Sequence, residues 1–125
     1  MEARAVAKYV RVSPHKARIV AELVRGKVVD EALNILHFST KRAAKPIEKA
    51  IRSAVANMTN YEERTKVEAD EVYVKEIRVD QGYMLKRYRA GSMGRAMPRR
   101  RRTCHITVVV ADIEKPAEVE AKQEA

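Results

Sequence analysis

The chain has 125 residues, with 26 lysines and arginines against 17 acidic side chains, a formal net charge of +9 and a pI of about 9.9. That length suits one domain with a modest core, and that charge points to a polyanionic partner, either nucleic acid or an acidic membrane surface. A single cysteine, Cys104, excludes an internal disulfide and a multi-cysteine metal site; with no signal-peptide layout at the N-terminus and no apolar run near the ~20 residues of a membrane helix, the expectation is a soluble, basic protein of a reducing intracellular compartment.

Residues 3–12, "ARAVAKYVRV", alternate and predict a strand. Arg4, Val6, Lys8, Val10 and Val12 share one face; the alanines, Tyr9 and Arg11 share the other. "SPHKARIVAELVRG" follows as a helix, with Ser13 as N-cap, Pro14 at the first helical position and Gly26 at the stop. Its apolar residues recur at Ile19, Val20, Leu23 and Val24. A second short helix starts near Asp30, with Leu33 and Leu36 inward. Ser39 or Thr40 can cap a third, whose stripe is Ile47, Ala50, Ile51, Ala54, Val55 and Met58. Pro46 belongs to its first turns and can displace its start. "NYEERTKVEADE" reads as a loop. Residues 72–80 form a strand whose alternation slips at Lys75-Glu76, which predicts a bulge. Residues 104–113, "CHITVVVADI", are rich in β-branched side chains and form the last strand. Residues 114–125 have too little apolar content to pack and are expected to form a disordered acidic tail. The order gives an α+β domain, residues 1–113, with a three-stranded antiparallel sheet packed on three helices.

Between the last two strands lies a cationic finger. Residues 81–113 carry eight basic side chains and one acidic, net +7, while residues 1–80 carry 16 and 12, net +4. A structureless connection of this length is unusual in a compact domain. Turn residues Gly91, Ser92 and Gly94 mark its centre, so the simplest geometry is an extended hairpin spanning 81–105 with its tip at Gly91, Ser92, Met93, Gly94, Arg95 and Ala96. Arms of about eleven residues reach on the order of 35 Å. Seven of the eight cations are arginine, whose planar guanidinium pairs bidentately with phosphate and stacks on bases. Arg99, Arg100, Arg101 and Arg102 alternate in direction along a strand, so both faces meet anion, which suits a finger surrounded by nucleic acid better than one on a flat membrane.

Other chemistry finds little support. His15, His37 and His105 sit in different elements, with no cysteine or carboxylate at ligand spacing, so no metal or other cofactor is expected. Cys104 and His105 are neighbours in a strand and point to opposite faces, which argues against a catalytic pair. No phosphate loop, dinucleotide fingerprint or nucleophile elbow occurs. At the start of the first helix, Ser13, Lys16 and Arg18 stand where backbone N–H groups favour phosphate.

Three stretches together resemble a known family: "VRVSPHKARIVAELVRGKVVDEALNIL", "KRAAKPIEKAIRSAVANM" and "KRYRAGSMGRAMPRRRRTCHITVVVAD". The chain is similar, over roughly residues 4–113, to the family of the twenty-second protein of the bacterial large ribosomal subunit. The resemblance implies a non-catalytic, cytoplasmic protein of that subunit that binds large-subunit rRNA over several domains and supports assembly. It further implies neighbouring ribosomal proteins as partners, and a hairpin running to the wall of the nascent-peptide exit tunnel. Residues Gly91 to Ala96 would meet the nascent peptide, and Leu85, Lys86 and Arg87 would occupy the arm linked to macrolide sensitivity. The tip departs from the family's pattern: it reads "RAGSMGRA", keeping Gly94-Arg95-Ala96, with the usual proline missing there and Pro98 further on.

The residues expected on rRNA are Arg4, Arg11, Ser13, Lys16, Arg18 and Arg25 in the body, and Lys86, Arg87, Arg89, Arg95, Arg99, Arg100, Arg101 and Arg102 in the finger. No membrane partner and no homo-oligomer are expected. The rival reading is an architectural DNA-binding protein inserting a basic β-arm into a minor groove, which would bring a tight dimer. A membrane-active arginine-rich domain lacks the amphipathic basic helix it would need.

Overall fold

A computed structural model describes residues 2–61 and 71–112. Strand β1 (Glu2–Val10) leads to helices α1 (Pro14–Val24), α2 (Val29–Phe38) and α3 (Ala44–Tyr61), and the chain closes with β2 (Val72–Ala90) and β3 (Ala96–Asp112). The three strands form one antiparallel sheet in the order β1-β3-β2, so β3 is central. The helices cover one face: α3 packs on β1 and β3, α1 lies along β2, and α2 joins α1 to α3. This is the expected α+β arrangement. Most of the loop 60–71 and the whole tail 114–125 lie outside the described residues. Among the described residues no helix is long and apolar enough to cross a membrane.

The core is built from small side chains at close approaches. β1 turns its alanine face inward: Ala3 and Ala5 are buried, while Val6 is exposed. On α1 the stripe is rotated from the one the large residues suggest. Ala17, Val20, Ala21 and Val24 are buried, and Ile19 and Leu23 are 47% and 49% exposed. Alanine lets the helix axis come closer to β2 than isoleucine or leucine would. On α3 the expected stripe holds, with Ile47, Ala50, Ile51, Ala54 and Met58 buried and Val55 packed against them. Neither Ser39 nor Thr40 caps it. Ser39 ends α2, its hydroxyl accepting from the Lys41 N–H, and α3 begins at Ala44. Pro46 thus falls in the first turn, where its missing N–H costs no helical bond.

The outer edge of β2 is covered by α1 and the turn after it. Gly26, in the left-handed region at φ +79°, ends the helix, and its N–H donates to Val74 O at 3.1 Å. Val74 N–H donates to Lys27 O at 2.9 Å. Further along, Arg25 Nη2 donates to Ile77 O at 3.0 Å, and Arg18 Nε and Nη2 donate to Val79 O at 3.3 and 3.2 Å. An open strand edge is a template for unwanted pairing; here two arginines and a backbone turn occupy it.

Bulges shape the sheet. One falls at Lys75, where the alternation slips in the sequence. Two more converge on β3 from opposite sides. On β1, Lys8 and Tyr9 interrupt the register between Ala7↔Ile106 and Val10↔Cys104. On β2, Gly82 and Tyr83 do so between Gln81↔Cys104 and Met84↔Arg102. Beyond them β1 has ended, and β2 and β3 continue alone.

Candidate nucleic-acid interface

The finger is a two-stranded ribbon, with the arms being uninterrupted continuations of β2 and β3. Met84 to Ala90 pair with Arg102 to Ala96 in continuous register. Opposite residues share a face, so Lys86 with Arg100, and Tyr88 with Pro98, lie on one side. Arg87 with Arg99, Leu85 with Arg101, and Arg89 with Met97 lie on the other. Cations therefore stand directly opposite cations on both faces, an arrangement that weakens a sheet. No residue from Gln81 to Arg102 is buried. No ion pair joins any of the eight finger cations to a carboxylate among the described residues. A ribbon with neither core nor charge balance is marginal in water.

The tip is a short turn. Gly91 N–H donates to Arg95 O at 2.6 Å, and Ser92 to Gly94 form a single 3-10 turn between them. Met93 and Gly94 both have positive φ, and the Met93 side chain is fully exposed. Gly91 is required because a Cβ there would stand 2.8 Å from Met97 Cγ and 3.0 Å from Arg95 O. Ala96 is the first residue of β3 and pairs with Ala90.

Where the finger meets the body, a groove of about 1150 Å³ opens. Its body wall carries Arg11 and Ser13 from the β1–α1 turn, His15 and Lys16 from the start of α1, and Lys41 and Arg42 from the α2–α3 turn; Arg87 and Arg100–Arg102 line it from the finger. Ser13 caps α1 with its backbone: its carbonyl accepts from Ala17 N–H at 3.0 Å, and its hydroxyl makes no cap bond. First-turn N–H groups of α1 are thus left without a side-chain acceptor beside Lys16, a setting that favours phosphate.

The structure separates the body residues expected from sequence. Arg11, Ser13 and Lys16 come together in the groove. Arg18 and Arg25 donate to β2 carbonyls and do not line the groove. Arg4 lies away from the groove, in the same sheet row as Val109 and Glu76, and its carbonyl accepts from Asn57 Nδ2 at 2.9 Å. Sequence reasoning missed Lys41 and Arg42. The signal available was the pair itself, "TKRA" after a helix end, which is indistinguishable from any solvated turn until the fold brings it opposite the finger.

At the finger's root three rings meet. Tyr9, with φ +58°, donates its N–H to His105 Nδ1 at 3.0 Å. Its ring stands 4.9 Å from that of His105, edge on, and 5.5 Å from that of Tyr83, tilted by 53°. Beside them Cys104 is buried, and burial pushes its thiol pKa up, against a smaller opposing effect of the Arg18 charge.

Over residues 5–111 the chain matches the family model described as Ribosomal protein L22p/L17e. It is 52% identical over 112 residues to the large ribosomal subunit protein uL22 of Halothermothrix orenii, covering 90% of this chain and 96% of that one. Against the protein of that name from Myxococcus xanthus it is 49% identical over 115 residues, covering 92% and 100%. With that of Carboxydothermus hydrogenoformans it shares 53% over 112 residues, covering 90% and 96%. The span 5–111 takes in all three helices, the finger with its groove and all of the sheet except the ends of β1 and β3. A family of ribosomal proteins, not of enzymes, accounts for a chain whose finger and groove are cationic: by both the extent and the level of this similarity, it belongs to the Ribosomal protein L22p/L17e family.

Proposed function

We propose that this chain is a structural protein of the large ribosomal subunit, in the cytoplasm, that binds large-subunit rRNA with its finger and the groove at its root. The observation that carries this reading is the ribbon itself, with eight cations, like charges opposed across both faces, and no carboxylate partner among the described residues. RNA wrapped around such a ribbon neutralises both faces at once, and a folded RNA can do so by shape and backbone contacts. The groove extends the same surface onto the body through Arg11, Lys16, Lys41 and Arg42. Contacts on finger and body together let one copy bridge several rRNA domains during assembly, beside neighbouring ribosomal proteins. In this reading the finger reaches the exit tunnel, and the exposed turn Gly91–Ala96 meets the nascent peptide.

Sedimentation of the tagged protein in lysate, at moderate and at high salt, tests the main claim. Co-migration with the large subunit that persists when loosely held proteins wash off is the expected result; a free protein, or one travelling with DNA, would sink the proposal. For the tunnel, deletion of residues 85–87 shortens one arm and shifts the tip. Ribosomes carrying only that deletion should show an altered macrolide response, and an unchanged response counts against the tunnel placement.

A further inference from the structure

We propose that Tyr9 and Tyr83 form a stacking seat for an unpaired nucleobase at the root of the finger. The inference rests on the RNA-binding reading and deepens it, by naming what kind of nucleotide the root takes. Exposure alone would say little, since single exposed tyrosines are common. Here two rings, 59% and 54% exposed, are brought to 5.5 Å by two independent backbone irregularities in strands far apart in sequence.

Each irregularity is held by a specific bond. Tyr9 occupies the left-handed region, which a non-glycine residue keeps only where its surroundings enforce it. Its N–H goes to His105 Nδ1, and the His105 ring supports it edge on. Tyr83 lies in the bulge of β2, where its carbonyl accepts from Thr103 Oγ1 at 2.6 Å. Gly82 makes that bond possible, because a Cβ there would stand 2.5 Å from the same Oγ1. A bulge re-aims side chains, and such devices gather at functional sites. Both of these direct an aromatic ring to one spot and leave it uncovered.

The surroundings select the ligand. Lys8 precedes Tyr9, and the cationic arms begin immediately beyond, at Met84 opposite Arg102. The carboxylate nearest in register, Asp80 opposite His105, is engaged by Arg78 at 3.1 Å. Aromatic faces beside a cationic track bind single-stranded nucleic acid, whose bases offer free π-faces; a duplex keeps its bases stacked on each other. The ligand is therefore a base in a loop, bulge or single strand of the bound RNA.

Fluorescence reports on this directly, because the chain has five tyrosines and no tryptophan. The probes are an oligo(rA) single strand, an RNA duplex and inorganic polyphosphate at equal phosphate concentration. Oligo(rA) should quench the tyrosine emission, with the other two quenching little. Tyr9→Leu with Tyr83→Leu should lose the quenching and weaken oligo(rA) binding by on the order of ten-fold, with an unchanged salt slope; Tyr9→Phe and Tyr83→Phe should bind like the unmodified protein. If the leucine variants bind and quench as before, the rings only brace the finger and the stacking seat is refuted while RNA binding stands. If the unmodified protein binds none of the RNA probes, the RNA reading falls with it. Photocross-linking of the unmodified protein to thiouridine-labelled RNA is independent of variant folding: adducts on Tyr9 or Tyr83 support the seat, and adducts confined to the finger arms overturn it.

Discussion

A methyl group at Gly82 would collide with Thr103 Oγ1, and the next nearest atom is the Thr103 carbonyl oxygen at 3.2 Å, so the clash is only partly relieved by turning a side chain. Gly82→Ala should therefore break the Thr103–Tyr83 bond and cost about 1–3 kcal/mol, the usual range for overpacking, measurable as a lower denaturation midpoint. Cys104 gives a test of the opposite kind. Its thiol is fully buried and its pKa is raised by that burial. The native protein should resist alkylation near neutral pH and react readily once unfolded. The sign for stability follows: as pH rises past 9.0, the ordinary value, the unfolded chain ionises this group before the folded one does, so its contribution to stability falls with rising pH. In the sequence Cys104 is legible as a strand residue pointing away from His105. The role of Gly82 is not, because nothing local marks the approach of a threonine 21 positions later.

At the scale of elements, what sequence patterning supports best are segments whose large apolar residues alone define the buried face, such as α3 and the body part of β3. It misplaces the inner face of α1 because two stripes fit helical spacing equally well and share Val20 and Val24. Ile19 and Leu23 look like core by size; Ala17 and Ala21 are core because the helix sits close to the sheet. The strand arms of the finger escape the pattern for a different reason: with cations on both faces there is no alternation to read. Their independence from the core has a consequence. Every buried side chain of the described residues lies outside 81–102, so replacing 84–102 by a tight turn should leave the body folded. Circular dichroism with a cooperative melt near that of the full chain is the expected outcome; a collapsed or molten body would mean that the finger contributes to the core after all. That replacement also removes every finger cation, and RNA affinity should fall accordingly.

For the whole molecule, charge is segregated by surface as well as by sequence. On the open face of the sheet, Lys75 pairs with Glu2, Arg78 with Asp80, and Arg4 shares a row with Glu76. Cations there are matched by carboxylates. In the groove and on the finger they are not. The same residue type should therefore behave in three ways. Arg100→Ala and Arg101→Ala should each lower the slope of log affinity against log salt by about 1, with stability unchanged for Arg101, which faces Leu85, and unchanged or slightly improved for Arg100, which faces Lys86. Arg78→Ala should leave the slope almost untouched. Arg25→Ala should chiefly destabilise the fold, by roughly 1 kcal/mol, because it strips a donor from the Ile77 carbonyl on the β2 edge. Salt titrations of RNA binding beside denaturant melts of the same variants separate the three. If Arg25→Ala instead lowers the slope as much as Arg100→Ala does, the guanidinium leaves β2 for phosphate in the complex, and the covered edge seen in the free protein is exchanged for an RNA contact.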